Sequence, residues 1–136
     1  MTDLPSDNRP PIAAAVIVAN GKLLLARRRV TEGQLSWQFP AGEVEPGETA
    51  EAAAAREAHE EGGLGVEPVR TLGERIHPAS GRAMVYVACA VVGGEAHVAD
   101  PDELAEVAWF SQAEIATHVP HPFYGPVQDY IAANVA

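Results

Sequence analysis

The chain has 136 residues, 47% of them hydrophobic, which suits one domain around one core and excludes a disordered tail. Nineteen acidic residues against nine basic ones give a formal net charge of −10, a poor match for a nucleic-acid polymer, which needs a basic patch. No apolar run approaches the roughly 18 residues of a membrane span, and the single cysteine, Cys89, excludes an internal disulfide and a Cys/His zinc spacing.

Residues 1–11, MTDLPSDNRPP, are polar and proline-rich and read as a flexible arm ahead of a single domain over residues 12–136. They lack the basic start and apolar stretch of a secretory signal, so a cytoplasmic protein is expected. Ile12 to Val18 reads as a strand, Asn20-Gly21 as a hairpin turn, and Lys22 to Arg28 as the returning strand. Arg27, Arg28 and Arg29 form a basic cluster, read either as substrate contacts or as solvated strand-end charges. Alternation separates Arg27 from Arg28, and Arg27 is the expected contact. Val30 to Ser36 reads as a loop. In Trp37-Gln38-Phe39-Pro40, the two aromatic residues alternate onto one side of a short strand that Pro40 ends. They serve as core or as a surface for a base, Phe39 being the candidate for the latter.

Pro46-Gly47 marks a turn, and TAEAAAAREAHEE then reads as a helix, rich in the best helix former and ended by Gly62 and Gly63. Glu57, Glu60 and Glu61 stand at i, i+3 and i+4, so all three share one face. At roughly 5–6 Å and an effective dielectric near 20, each such pair costs about 3 kcal/mol before relaxation. The C-terminal end of a helix is also the wrong end for anions. Either the glutamates are solvated, or a hard divalent cation such as Mg²⁺ or Mn²⁺ offsets the repulsion. The opposite face, Ala52, Ala55 and His59 with Ala58 beside it, is expected to pack inward, with His59 structural and the carboxylates facing a cleft.

Val66 to Ile76 reads as a strand broken at Gly73. Residues 77–82 read as a turn-rich loop whose His77 and Arg82 border the substrate or simply lie on the surface. Ala83 to Val92 reads as a central strand, completing a second hairpin and enclosing Cys89 as an inert core residue. Gly93 to Glu106 reads as an acidic loop and Val107 to Phe110 as a short strand. Ser111 and Glu114 form a capping box for a helix reaching about Thr117. Val127, Tyr130, Ile131 and Val135 share one face of a final helix. The order implies an α+β fold, helices packed on a mixed sheet.

With its spacings, the central stretch reads Gly42-x5-Glu48-x7-Arg56-Glu57-Ala58-x-Glu60-Glu61-x-Gly63-Leu64. It resembles the Nudix box, and Trp37-x-Phe39-Pro40-x-Gly42 extends the likeness upstream. The one departure is Ala58, small where the family has a bulky aliphatic residue. The resemblance implies an α/β/α sandwich around a mixed sheet. It implies that Glu57, Glu60 and Glu61, with the Gly42 carbonyl, hold Mg²⁺ or Mn²⁺, that Glu57 shares an ion or serves as base, and that Glu48 pairs with Arg56. A further acid from a later loop often completes such a site. Glu103 is the candidate, ahead of Asp100, Asp102 and Glu106.

The implied activity is hydrolysis of a nucleoside diphosphate linked to another group, NDP-X. A (deoxy)nucleoside triphosphate, an oxidised one included, would give the monophosphate and pyrophosphate. ADP-ribose or a nucleotide sugar is the alternative substrate, with Arg27, Phe39 and Arg82 as substrate contacts in either case. A non-catalytic nucleotide sensor and an acidic interaction module are the alternatives outside enzymology. Homodimers are common in the family, though no interface is readable in the sequence.

Overall fold

The computed structural model describes residues 9–29 and 37–136. The expected loop over 30–36, and residues 1–8 of the expected arm, lie outside the described residues. Pro10 and Pro11, at the end of that arm, are tied down: the Pro10 carbonyl accepts from Arg82 Nη2 at 2.8 Å and the Pro11 carbonyl from Val44 N at 2.9 Å.

Among the described residues, seven strands and three helices follow in the order β1 (Ile12–Ala19), β2 (Lys22–Arg28), β3 (Trp37–Gln38), β4 (Ala41–Glu43), α1 (Ala50–Gly62), β5 (Gly65–Ile76), β6 (Ala83–Gly93), β7 (Leu104–Phe110), α2 (Gln112–His118) and α3 (Gly125–Asn134). The sheet runs β3-β2-β1-β6-β5, with β4 also on β1 and β7 also on β2. β1 and β6 are parallel and the other pairs antiparallel, so the sheet is mixed.

Strand alternation divides the core into two layers. Ala13, Ala15 and Ile17 of β1 face α1, where Ala53, Ala54 and Ala58 meet them with Leu24, Val87 and Cys89. Ala14 and Val16 face the other way, toward Ile115 of α2 and Val127 and Ile131 of α3. The α+β sandwich expected from the sequence is present. Small residues on both sides of the α1–β1 contact let the helix approach the sheet closely, and Ala58 fits there without the bulky side chain of the family pattern.

The hairpin positions the site. Asn20 and Gly21 both take left-handed conformations, φ 52° and 75°, as a two-residue turn of that hand requires. Only two rungs follow, Ala19↔Lys22 and Val18↔Leu23, before the strands part. Residues 37–43 fill the fork. Trp37 and Gln38 pair with β2, Pro40 turns the chain, and Ala41 to Glu43 pair with β1. The Pro40 carbonyl accepts from Ala15 N at 2.9 Å, joining the two branches. The sequence reading ended the strand at Pro40 and missed β4, because pairing with β1 is a tertiary event.

Three expectations that bear on the site are corrected. β5 runs unbroken through Gly73, where the ladder to β6 merely shifts register. β7 begins at Leu104 rather than Val107, because β2 offers it partners back to Arg28. The buried stripe of α1 is Ala53, Ala54, Glu57, Ala58, Glu61 and Gly62 rather than Ala52, Ala55 and His59. Ala52 and His59 are exposed and Ala55 is half-buried. The inward face therefore includes two of the three carboxylates.

Candidate active site

Helix α1 is fixed at both ends. Thr49 caps its start by accepting from Ala52 N at 3.0 Å, and Gly63 closes it in the left-handed region at φ 73°. The loop before it is held by Arg56. That guanidinium donates from Nε and Nη2 to the two Glu48 oxygens, at 2.8 and 3.0 Å, and from Nη2 to the Glu43 carbonyl at 2.9 Å. Its Nη1 reaches Glu57 at 2.9 Å and Glu60 at 3.1 Å. The Glu48 carboxylate also accepts from Glu45 N at 2.9 Å. The Arg56 guanidinium, with this backbone bond, pulls the Glu48 carboxyl down to a pKa of about 2. The Glu48 carboxylate in turn raises Arg56 above its usual range. One arginine thus joins the loop, β4 and the acidic face.

Along that face burial increases in steps. The Glu60 side chain is 54% exposed, whereas Glu57 and Glu61 are 8% and 4% exposed as residues. Burial raises the Glu57 carboxyl above its ordinary value, more than Arg56 lowers it. Burial likewise raises Glu61 to about 7, against the opposing pull of Arg28. Arg28 Nη1 lies 3.3 Å from one Glu61 oxygen, and the Ala41 N–H donates to the same atom at 3.3 Å. Arg28 Nη2 donates to Glu103 at 3.1 Å. Glu61 thus sits between Arg28 of β2 and Ala41 of β4, and Glu57 packs against Gly42, which has no side chain. A Cβ at Gly42 would collide with the Glu57 carboxylate.

These groups line one end of a cleft of about 1010 Å³. Gly42, Arg56, Glu57, Glu60, Glu61 and Glu103 all border it, as do Phe39 and Arg82. Glu48 lies behind them, acting through Arg56. Arg82 donates to the Pro10 carbonyl and to Glu43 at 3.0 Å, so it ties β4 to the N-terminal segment as well. His77 borders the cleft, its Nδ1 accepting from Ala79 N at 3.1 Å, and burial lowers its pKa. Phe39 is both core and wall, packed against Phe123 at 5.3 Å and Tyr86 at 6.2 Å between ring centroids.

Arg27 is placed elsewhere. It lies over the Trp37 ring at 5.7 Å and 3.6 Å from Glu106, outside the cleft. Arg28 takes the position that the sequence reading gave to Arg27. The β2–β7 ladder shifts register between these two residues, and such irregularities re-aim side chains. Alternation separated the two arginines but could not say which faced inward. The reading also missed Arg75, Tyr86, Phe123 and Tyr124 on the far wall. No local pattern joins residues from β5, β6 and the α2–α3 connection.

The donor set suits a hard divalent cation: carboxylate oxygens, two of them buried with raised pKa, beside a residue whose missing side chain leaves them room. Among the described residues, no three acidic, histidine or cysteine side chains stand grouped tightly enough to hold an ion as they are. The guanidinium groups of Arg28 and Arg56 lie among the carboxylates. An ion would take over part of the charge that these arginines now balance.

Solved structures share the fold, and curated relatives match part of the chain. An RNA pyrophosphohydrolase of Serratia proteamaculans is 48% identical over 64 residues, 47% of this chain and 35% of the relative. The chain thus matches about a third of the length of the curated relatives it resembles. A NUDIX hydrolase structure from Nitrosomonas europaea superposes with a TM-score of 0.78, at 23% identity, over 94% of this chain and 73% of that one. A MutT NUDIX hydrolase from Burkholderia pseudomallei gives 0.66, at 27% identity, over 96% of this chain and 100% of that one. The NUDIX domain model matches residues 9–131, and on that extent the chain belongs to the Nudix hydrolase family.

Proposed function

We propose that this chain hydrolyses the diphosphate linkage of an NDP-X compound with the help of Mg²⁺ or Mn²⁺, and that its substrate is a small nucleotide, foremost a (deoxy)nucleoside triphosphate. The observation carrying this reading is the Glu48–Arg56–Glu57 clamp, which holds an acidic face at one end of a cleft whose other end is aromatic. A bound divalent ion would neutralise phosphate oxygens and lower the pKa of a water. Glu60, Glu61 and the Gly42 carbonyl would hold it. Glu57, at the centre of the face, shares that duty or takes the proton from the attacking water. Water displaces one phosphate from the other, one P–O bond forming as another breaks. A nucleoside triphosphate would yield the monophosphate and pyrophosphate.

Two features favour a small substrate over a polymer. The net charge of −10 opposes extended contact with a polyanion. The cleft volume, about 1010 Å³, matches a ligand of nucleotide size. ADP-ribose and nucleotide sugars remain the alternative in the same class. The likeness to RNA pyrophosphohydrolases favours a second reading, in which the cleft takes the terminal nucleotide of an RNA. Intact acids on α1 count against a non-catalytic sensor.

The deciding experiment incubates the protein with nucleoside triphosphates, oxidised dGTP, ADP-ribose, nucleotide sugars and triphosphorylated RNA, with Mg²⁺ or with chelator. Pyrophosphate and phosphate are measured. Ion-dependent release from a small nucleotide, lost in Glu61→Gln with its thermal midpoint preserved, is expected. Activity undiminished in chelator, or turnover confined to RNA, would refute the proposal.

A further inference from the structure

We propose that Arg75 selects the base of the substrate, and that the base selected is guanine; this rests on the nucleotide reading above. Arg75 lies across the sheet from the acidic end. It pairs with Met84, Met84 with Ile12, and Ile12 with Glu43, the neighbour of Gly42. Three strand spacings place it roughly 14 Å from β4, a span suited to an extended nucleotide whose diphosphate lies at Glu57 and Glu61.

Its surroundings are built to hold it. Gly73, two residues before it on the same strand, has no side chain, and a Cβ there would come 3.0 Å from the Tyr124 ring. Tyr124 therefore packs down on β5 and donates from its hydroxyl to the Glu74 carbonyl at 2.8 Å. The Arg75 guanidinium stands 5.1 Å from the centre of that ring and 5.8 Å from that of Tyr86. Its Nε donates to the Tyr86 hydroxyl at 3.2 Å. Two aromatic faces and one hydrogen bond thus restrict the plane of the guanidinium.

Among the described residues, the only hydrogen bond Arg75 donates from its side chain is the one from Nε. Arg28, Arg56 and Arg82, the other arginines of the cleft, are all paired with glutamates. Among the described residues, no carboxylate pairs with Arg75, in a chain of 19 acidic residues. With Nε engaged, the Nη groups remain as side-by-side donors. They match two adjacent acceptors, and guanine offers O6 and N7 in that arrangement. Adenine sets an amino donor beside N7, which repels the fork. Cytosine also has two adjacent acceptors, but its single ring covers less of the tyrosine surface. Oxidation at C8 puts a hydrogen on N7 and removes one acceptor, so the selected base is the unoxidised one.

The test compares kcat/KM for GTP, ATP, CTP, UTP and 8-oxo-GTP in the wild type, Arg75→Lys and Arg75→Gln, with thermal midpoints. Lysine keeps the charge over the tyrosine rings but loses the fork. Calorimetry of GMP and AMP binding to the chelated protein runs in parallel and needs no turnover. The expected result is a preference for GTP of about tenfold or more, falling toward parity in both variants mainly through KM. An even wild-type profile, a preference for another base, a ratio unchanged by substitution, or an equal loss for every nucleotide would overturn the assignment. Should the wild type hydrolyse no nucleotide, the proposed activity fails by itself. Tighter binding of GMP than AMP, lost in Arg75→Lys, would then still uphold Arg75, and equal binding would overturn it.

Discussion

The Glu57 carboxylate occupies the space in which a Cβ on Gly42 would stand. A residue of β4 and a residue of α1 thus share one volume, and only glycine permits it. Gly42 does not take a positive φ, so alanine would strain contacts rather than backbone. The carboxylate is the end of a side chain and would yield. Gly42→Ala should therefore leave the fold nearly as stable while moving Glu57 off its position. Displacements of about 1 Å at a reacting centre can cost 10²-fold in rate, and a loss of that order in kcat is expected. Scanning calorimetry beside initial-rate assays checks it; an alanine variant with normal rate would mean that Glu57 need not sit there.

Glu61 makes the ion-free protein sensitive to pH. Its folded pKa of about 7 exceeds the ordinary 4.5. Between those values the folded state holds a proton that the unfolded state releases, so stability falls as pH rises. The contribution is full below about 4.5 and is lost as pH rises through about 7. The thermal midpoint of chelated protein should drop across that interval. Mg²⁺ or Mn²⁺ should restore it most at the alkaline end, where the carboxylate is ionised. Glu61→Gln should flatten both effects, and a wild-type midpoint independent of pH and ion would contradict them.

Glu48 has the opposite sign. Arg56 holds its folded pKa near 2 rather than 4.5, so its contribution is present above about 4.5 and disappears as pH falls toward 2. Glu48→Gln should lower the midpoint near neutrality and converge on the wild type in acid. Arg56→Lys should resemble it, since an ammonium cannot make the paired contacts with both Glu48 oxygens. A constant gap between variant and wild type across acid titration would count against the clamp.

The Glu48–Arg56 pair was expected from the Nudix-box resemblance, whereas elements whose members lie close together along the chain were legible from spacing, which fixes direction there. Both hairpins, the Ser111–Glu114 box and the apolar face of α3 were legible for the same reason. The inward face of α1 was not. The expectation that charge points outward placed Glu57 and Glu61 opposite the buried stripe, whereas they lie on its edge, facing a gap between strands. Their site exists because the β1–β2 hairpin opens after two rungs, and no local signal announces that. The choice between Arg27 and Arg28 depended on a register shift with β7. The aromatic end joins side chains from elements far apart in sequence, so periodicity could not group it.

Arg28 gives the final prediction its direction. It bonds Glu61 on one side and Glu103 on the other. Glu103 reaches the cleft from the residue before β7, whereas Glu106, within that strand, stands beside Arg27 outside it. The main chain fixes this arrangement. Ala99 N donates to the Glu61 carbonyl at 3.0 Å and Arg29 N to the Glu103 carbonyl at 2.9 Å, so this acidic segment is pinned to α1 and to the end of β2. Glu103→Gln should therefore slow turnover more than Glu106→Gln, by about tenfold or more if Glu103 reaches an ion or, through Arg28, helps to position Glu61 for one. Neither change should move the thermal midpoint much, since both side chains are more than half exposed and exposed ion pairs contribute roughly 0–1 kcal/mol. Paired rate and melting measurements on the two variants decide it. A greater loss from Glu106→Gln would place the working acid on the Arg27 side and remove Glu103 from the site.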